Sequence, residues 1–544
     1  MPRLKGRGAV AFVLGVIALN AALTFENVWP SLWVRPGLSL SVEIAMLLLV
    51  AVLYVEFRGR ISGAVLWTAA CFLFVLSLGH YAGITTQALL GRPVNLYFDL
   101  DHVPRVLDMT VGARPVSELV LYGAMLLGAA AALLLMLRIA LGAVARGLAA
   151  PGLRRISAVM AFAGVTSFVV GQAIGIGELQ RSFADPVLPM FSRQAIVVAA
   201  SAGDEGIADR IEAGPPPLSD LARLKGSDIF VVFFESYGAV AHSDPAIATT
   251  VGRRVRALDR RLGETAWRSA SAYFTAPTFG SASWLSHASF LSGVTISNSR
   301  DYRLLLRSTR PTLLDTFKSA GYRTVALMPG LKRAWPEGRY YNYDQIYDAS
   351  ALGYRGPKFG WWAIPDQYSM GVFLQKELAA QHRPPVFVLF PTVMSHLPFD
   401  PLPPYLTDWS RAASGSDYGR SSAPAERGTT GEWSKIKSAY RESIRYNFDV
   451  LDGLLSHHAA KGALIVVMGD HQPPAIVGGA QSDWRVPVHV LAQAPAVFSR
   501  IAAVGFSPGM VPTGGPVGSL AELHGLLAKA LGGGGDTNQR LPGR

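Results

Sequence analysis

The chain has one cysteine in 544 residues. That residue, Cys71, falls in an apolar stretch, so no disulfide can staple any other part of the chain. Charge is also scarce: 16% of residues are Asp, Glu, Lys or Arg, while half are hydrophobic. This composition is too apolar for a purely soluble protein, and the excess is concentrated in the first 180 or so residues. Internal repeats are absent. A long cysteine-free remainder has to rest on its own core, which roughly 360 residues can supply.

What is present begins with five windows long and apolar enough to cross a bilayer. They start at Ala9, Ser41, Ser62, Glu118 and Ile156. The first resembles the apolar core of a signal peptide, but no cleavage site follows it and it reads as retained. Arg3, Lys5 and Arg7, then Arg58 and Arg60, then Arg138, Arg146, Arg154 and Arg155 occupy alternate connections. The positive-inside rule puts those connections in the cytoplasm and everything after about Gly177 outside it. The formal net charge of +12 partly reflects this pattern and gives no reason to expect nucleic acid.

The expected organisation is a five-span transmembrane domain over 1–178, a linker over 179–225, a catalytic domain over 226–532 and a disordered tail over 533–544. The loop from Tyr81 to Pro115 reads either as a cover for the membrane surface near a lipid or as a plain connection. The stretch from Ser410 to Gly431 reads as a mobile surface loop.

From Ser227 the pattern becomes short apolar runs alternating with helical windows. DIFVVFFE, RTVALM, PVFVLFP, ALIVVMGD and VPVHVLA read as buried strands. Helical windows fall near 250–266, 311–320, 367–380, 433–458 and 519–531. The fold class is therefore an α/β domain with a mainly parallel central sheet, attached to a five-helix transmembrane unit.

In such sheets ligands gather at the carboxyl ends of the strands. Glu235 ends the first run, His396 follows the third and the pair Asp470–His471 follows the fourth. Glu, Asp and His together make a hard-to-borderline divalent site. Singly, each is as readily a loop carboxylate, a structural histidine or a turn. The serine-rich stretch GSASWLSHASFLSG (280–293) follows a further apolar run. Ser281 or Ser283 there is either a helix N-cap or a nucleophile activated by a cation, and a capping position also faces anion-binding N–H groups.

FVVFFES, PTFGSASWLSHASFLSG, TVMSHLPF and VVMGDH occur in an order that resembles the alkaline phosphatase/sulfatase superfamily. The multi-span amino-terminal unit makes the chain similar to its lipoteichoic acid synthases and phosphoethanolamine transferases. The resemblance implies Glu235, Ser283, Asp470 and His471 as ligands of one divalent ion, Mn²⁺ with Zn²⁺ or Mg²⁺ as alternatives. It implies Ser283 as nucleophile, with Ser281 as the alternative, and His396, Trp335 and Arg339 as substrate contacts. Ser283-Trp284-Leu285-Ser286-His287 lacks the cysteine and arginine of a formylglycine signature, which argues against sulfate esters.

With no disulfides, the match tilts toward phosphoglycerol transfer from a membrane phospholipid to a glycan or lipid hydroxyl, at the outer face of a cell (inner) membrane. Phosphoethanolamine transfer, a membrane-anchored phosphodiesterase or phosphatase, and a binding-only relative are the alternatives. His489, inside VPVHVLA, reads as a buried structural histidine rather than a second-metal ligand.

Overall fold

The computed structural model describes residues 6–28, 31–90, 115–174, 177–203, 206–214, 221–224, 226–359, 363–420, 433–457, 462–479 and 483–533. Most of the Tyr81–Pro115 loop, residues 421–431 of the expected surface loop and nearly all of the tail lie outside this set. The chain divides into two compact units, Met1–Gly203 and Asp204–Arg544.

The first unit is helical. Its long helices are α1 (Gly6–Thr24), α2 (Val42–Arg58), α3 (Gly63–Leu90), α4 (Val116–Leu148) and α5 (Pro151–Ile174), followed by α6 (Leu188–Gly203). Helix α1 packs along α4, and α2 along α5. Small residues permit the first approach, since a Cβ on Gly147 would collide with the ring of Phe12. Helices α1, α3, α4 and α5 are long and apolar enough to cross a membrane, whereas α2 is 17 residues long and carries Glu43, Glu56 and Arg58.

Leu40, before α2, pairs with Phe183, after α5, across an isolated bridge. The segments that follow α1 and α5 therefore meet at the same end of the unit. The stretch expected as a linker is partly helical, containing α6 and a short helix at Gly206–Glu212.

The second unit is built on a nine-stranded sheet among the described residues. Its strands are β3 (Ile229–Phe234), β4 (Arg268–Thr275), β5 (Arg323–Leu327), β6 (Gln345–Tyr347), β7 (Val386–Pro391), β8 (Leu464–Gly469), β9 (Arg485–Ala492), β10 (Ser507–Pro508) and β11 (Pro516–Ser519). A pair of two-residue antiparallel strands in the first unit supplies β1 (Glu26–Asn27) and β2 (Val34–Arg35). The order is β10-β4-β9-β8-β3-β7-β5-β6, with β11 beside β4. Strands β8, β3, β7, β5 and β6 run parallel, and β9 runs antiparallel to both β8 and β4.

Strand β3 is central, and its unbroken apolar run has a direct cause. Phe230, Val232 and Phe234 enter the core on one face, and Ile229, Val231 and Phe233 enter the core on the other. The second of these cores also takes Phe290 and Leu291 from α8 (Ser283–Ser292). The flanking helices α7 (Pro245–Gly263), α9 (Leu313–Ser319), α10 (Asp366–Phe373), α11 (Trp433–His457) and α12 (Leu520–Leu531) match the helical windows of the sequence.

Candidate metal and nucleophile site

The parallel core strands β3, β7 and β8 end at one edge, and each hands the site a segment. Strand β3 runs into Glu235, β7 into the turn bearing His396, and β8 into Asp470 and His471. Gly469, the last residue of β8, has to be glycine, because a Cβ there would collide with the Tyr237 carbonyl.

One carboxylate oxygen each of Glu235 and Asp470 and one ring nitrogen of His471 lie within 4.8 Å of one another, all three residues being buried. The Asp470 Oδ1 accepts backbone N–H groups from Ser236 at 2.8 Å and His471 at 2.7 Å. Its Oδ2 is buried with no hydrogen-bond partner, a costly state for a carboxylate. His471 Nδ1 lies 2.8 Å from the Gln472 carbonyl and must donate to it, so the neutral ring presents a lone pair at Nε2. The orphaned oxygen, the fixed tautomer and the mixed oxygen–nitrogen donor set fit a hard-to-borderline divalent cation.

Electrostatics agree with a place prepared for positive charge. Burial, reinforced by the charge of Glu235, pushes Asp470 up to about 7. Burial acts to lower His471, but Asp470 and Glu235 outweigh it and the ring is raised above its usual value. Without a cation the cluster therefore retains protons near neutrality.

Ser283 is the first residue of α8. Its hydroxyl donates to Glu235 Oε2 at 2.8 Å and lies 3.2 Å from His471 Nε2. The N-cap expectation is corrected: the cap position is Ala282, in a left-handed conformation (φ 65°) and with no side-chain cap bond. A β-carbon residue in that region carries local strain, which here turns the chain sharply enough to aim Ser283 into the cluster. The carbonyl of Ser281 accepts a bond from the Thr278 hydroxyl at 2.7 Å.

Ser286 donates to the Asp470 carbonyl at 2.6 Å, Ser289 to the Leu285 carbonyl and Ser292 to the Ala288 carbonyl, both at 2.7 Å. These three hydroxyls are engaged in holding the helix and the β8 end.

His396 is half-buried beside the cluster, and its Nδ1 lies 2.6 Å from the Leu397 carbonyl. Burial lowers its pKa, so the ring is neutral, with its proton on Nδ1. Trp335 stacks on Tyr341, with ring centroids 5.7 Å apart, and Arg339 is exposed on a short helical turn nearby. No hydrogen bond or ion pair among the described residues joins either to the cluster. His489 is buried between Tyr237 (3.0 Å from its Nε2) and Ser271 (2.7 Å from its Nδ1), as a structural histidine would be.

Several supporting residues carried no sequence signal of their own. Thr392 accepts the Glu235 N–H at 3.1 Å, Ser395 donates to the Glu235 carbonyl at 2.7 Å, and Asn447 donates to both hydroxyls. Asp366, fully buried at the start of α10, accepts the N–H groups of Val393 at 2.8 Å and Met394 at 3.0 Å. Burial, opposed by those two bonds, raises its pKa to about 7. Asp366 thereby fixes the turn that bears both Thr392 and His396.

The "Sulfatase" family model matches residues 230–488, a span that includes every candidate residue above. No curated protein matches. Among solved structures the chain is similar to the C-terminal periplasmic domain of EcEptC from Escherichia coli, at 14% identity over 58% of this chain and 86% of that one (TM-score 0.40). It is also similar to the lipoteichoic acid synthase LtaP from Listeria monocytogenes, at 15% identity over 52% and 70% (TM-score 0.35). A third is the Streptococcus pyogenes phosphoglycerol transferase GacH in complex with sn-glycerol-1-phosphate, at 10% identity over 55% and 75% (TM-score 0.35). The second unit thus matches the sulfatase family over residues 230–488, the family that the order of its motifs resembles.

Proposed function

We propose that the chain is a membrane-anchored phosphotransferase. It moves a phospholipid headgroup phosphate, with phosphoglycerol as the favoured headgroup, to a glycan or lipid hydroxyl outside the cytoplasm. The observation that carries this reading is the Ser283 hydroxyl, held at a helix start within hydrogen-bonding reach of both Glu235 and His471. The five-helix unit supports access to a lipid donor and a periplasmic position for the second unit.

In the first half-reaction the Ser283 oxygen bonds to phosphorus and the bond to the diacylglycerol oxygen breaks. Ser283 loses its proton toward Glu235 Oε2, its present acceptor. That loss balances the proton gained by the departing diacylglycerol. In the second half-reaction the acceptor hydroxyl attacks the phosphoseryl ester, and Ser283 regains a proton. His396, neutral and protonated at Nδ1, offers Nε2 to take the acceptor's proton.

Glu235, Asp470, His471 and Ser283 would hold one divalent ion, Mn²⁺ with Zn²⁺ or Mg²⁺ as alternatives. It would supply positive charge that acidifies the serine and offsets charge on the phosphoryl oxygens. Arg339 and Trp335 are assigned to the headgroup, the guanidinium as a phosphate clamp.

The test is to trap the intermediate. Full-length protein given phosphatidylglycerol without acceptor should carry a glycerophosphoryl adduct on Ser283. A phosphoethanolamine adduct, formed from phosphatidylethanolamine alone, would reassign the headgroup, and an adduct on Ser281 would reassign the nucleophile. Release of free headgroup phosphate without acceptor, at the same rate as with it, would make the chain a phosphodiesterase.

A further inference from the structure

The first unit contains a recess of about 490 Å³ that none of the preceding assignments uses. This falls in the ~300–1,000 Å³ range of small-ligand sites. It is lined by Glu26, Arg35, Leu38, Ser39, Arg181 and Ser182, with Pro36. All of these lie on the α1–α2 connection or just beyond α5, and the Leu40–Phe183 bridge puts both segments at one end of the unit. The positive-inside pattern makes that end the outer one.

The walls are pinned. Leu40 N–H donates to the Ser182 carbonyl, and Ala184 N–H to the Leu40 carbonyl, each at 2.9 Å. The Asn20 side chain donates to the Ser39 carbonyl and accepts the Ser41 N–H, both at 2.8 Å. The recess is therefore part of the fold and not a gap between loose loops.

Its chemistry is uneven in a way that selects a ligand. Arg35 is neutralised by Glu26, whose Oε2 accepts from Nε at 3.0 Å and Nη2 at 2.8 Å. Arg181 makes no ion pair among the described residues, so one guanidinium charge is left over in the recess. Leu38, which lines the recess, is 100% exposed, and on the same α1–α2 connection Trp33 is 69% and Leu32 64% exposed. Tryptophan in the connection between two crossing helices belongs at headgroup depth. An uncompensated guanidinium at that depth, with exposed apolar side chains on the connection that lines the same recess, matches an amphiphile with an anionic head, and the planar guanidinium fork matches a phosphate.

We propose that this recess binds the phosphate of an outer-leaflet phospholipid headgroup, with Arg181 as the phosphate ligand and Leu32, Trp33 and Leu38 against the upper acyl chains. The inference rests on the membrane-crossing reading of the first unit and deepens the proposed function by giving the lipid a docking place outside the metal cluster.

The experiment uses the full-length chain with Ser283→Ala, so that no lipid is turned over. Retention of phosphatidylglycerol through detergent exchange is compared with that of diacylglycerol bearing the same acyl chains, by native mass spectrometry. Phosphatidylglycerol should be retained over diacylglycerol. Arg181→Ala should lower its retention roughly tenfold, the worth of one charge-assisted contact. Arg58→Ala, at the cytoplasmic end of α2, should leave retention unchanged, and so should Arg181→Ala for diacylglycerol.

Equal retention of the two lipids, no effect of Arg181→Ala, or an equal effect of Arg58→Ala overturns the site. Displacement of the lipid by soluble glycerol phosphate makes it a site for free phosphate and overturns the lipid assignment. Because the readout is binding to a protein without the serine, a failure of the transfer chemistry leaves this result standing. A protein that transfers normally but fails this assay loses only the recess.

Discussion

Replacing Asp366 should damage the site without touching it. The carboxylate takes no part in the metal cluster; it accepts two consecutive backbone N–H groups, from Val393 and Met394. Asp366→Ala leaves both donors buried and unpaired, at about 1–3 kcal/mol each, so about 2–6 kcal/mol is at stake. Against a total stability of roughly 5–15 kcal/mol this is large but need not abolish folding. Asp366→Asn keeps one acceptor and strands one donor, so it should cost about half as much. For a domain of this size each kcal/mol is worth about 2 °C in melting temperature. The alanine variant should therefore melt roughly 4–12 °C lower, and the asparagine variant in between.

The functional consequence follows from position. Val393 and Met394 lie between Thr392, which holds the Glu235 backbone, and His396. A shift of about 1 Å in this turn is the kind of misplacement that costs on the order of 100-fold in rate. The loss should appear in kcat and be steeper for the acceptor half-reaction, where His396 is assigned, while phosphoseryl formation is less affected. Thermal melts of the full-length protein in detergent, with single-turnover formation and breakdown of the adduct, separate these effects. If Asp366→Ala melts within a degree of the wild type, or if adduct formation and breakdown fall equally, Asp366 is not what holds the turn.

Ser283→Ala should lose transfer by a factor on the order of 1,000 or more while shifting stability by only about 1 kcal/mol, the worth of one hydrogen bond. Ser281→Ala should retain near-normal rates, and the reverse pattern would move the nucleophile. Metal binding should release protons, because Asp470 sits up at about 7 and His471 is raised. Affinity for Mn²⁺ should therefore rise between about pH 6 and 8, and calorimetry in buffers of differing ionisation enthalpy should detect the released protons; none released would refute the protonated cluster.

His489 is buried neutral, with burial depressing it to about 3. The unfolded chain takes up that proton below its usual value of about 6.5, so the stability it confers is present above that pH and is lost as pH falls. The melting gap between wild type and His489→Leu should thus narrow by up to about 2 kcal/mol equivalent from pH 7 to 5. A constant gap would show that His489 is not held neutral.

The parts of the second unit that were legible in the sequence share a physical cause. Strands buried on both faces, such as β3, must be apolar at every position, so they stand out as runs, and whatever follows them marks the sheet edge. That is why Glu235, His396, Asp470 and His471 could be picked out together. The direction of β9 was not legible, since VPVHVLA is equally apolar whether it runs with or against β8. Asp366 was hidden for a different reason. It follows no apolar run, and its two partners lie 27 and 28 residues away in sequence. Nothing local distinguishes it from an ordinary helix-starting aspartate.

The serines of α8 make the sharpest case. In sequence, five hydroxyls between 280 and 293 compete for one role. Once the stretch forms a helix beginning at Ser283, geometry separates them. Ser286, one turn on, is close enough to tie the helix to the carbonyl of Asp470, and Ser289 and Ser292 fold back on their own helix. Only the first residue of the helix can face the cluster while its neighbours Leu285, Phe290 and Leu291 are buried. The left-handed Ala282 is what makes the helix begin there. A non-glycine residue in that conformation costs on the order of 1 kcal/mol and is retained where the surroundings over-determine it. Ala282→Gly should relieve that strain, stabilising the turn while loosening the aim of Ser283. A gain in melting temperature accompanied by a fall in the rate of adduct formation would tie the strained turn to the placement of that one oxygen, whereas a gain in both would detach them.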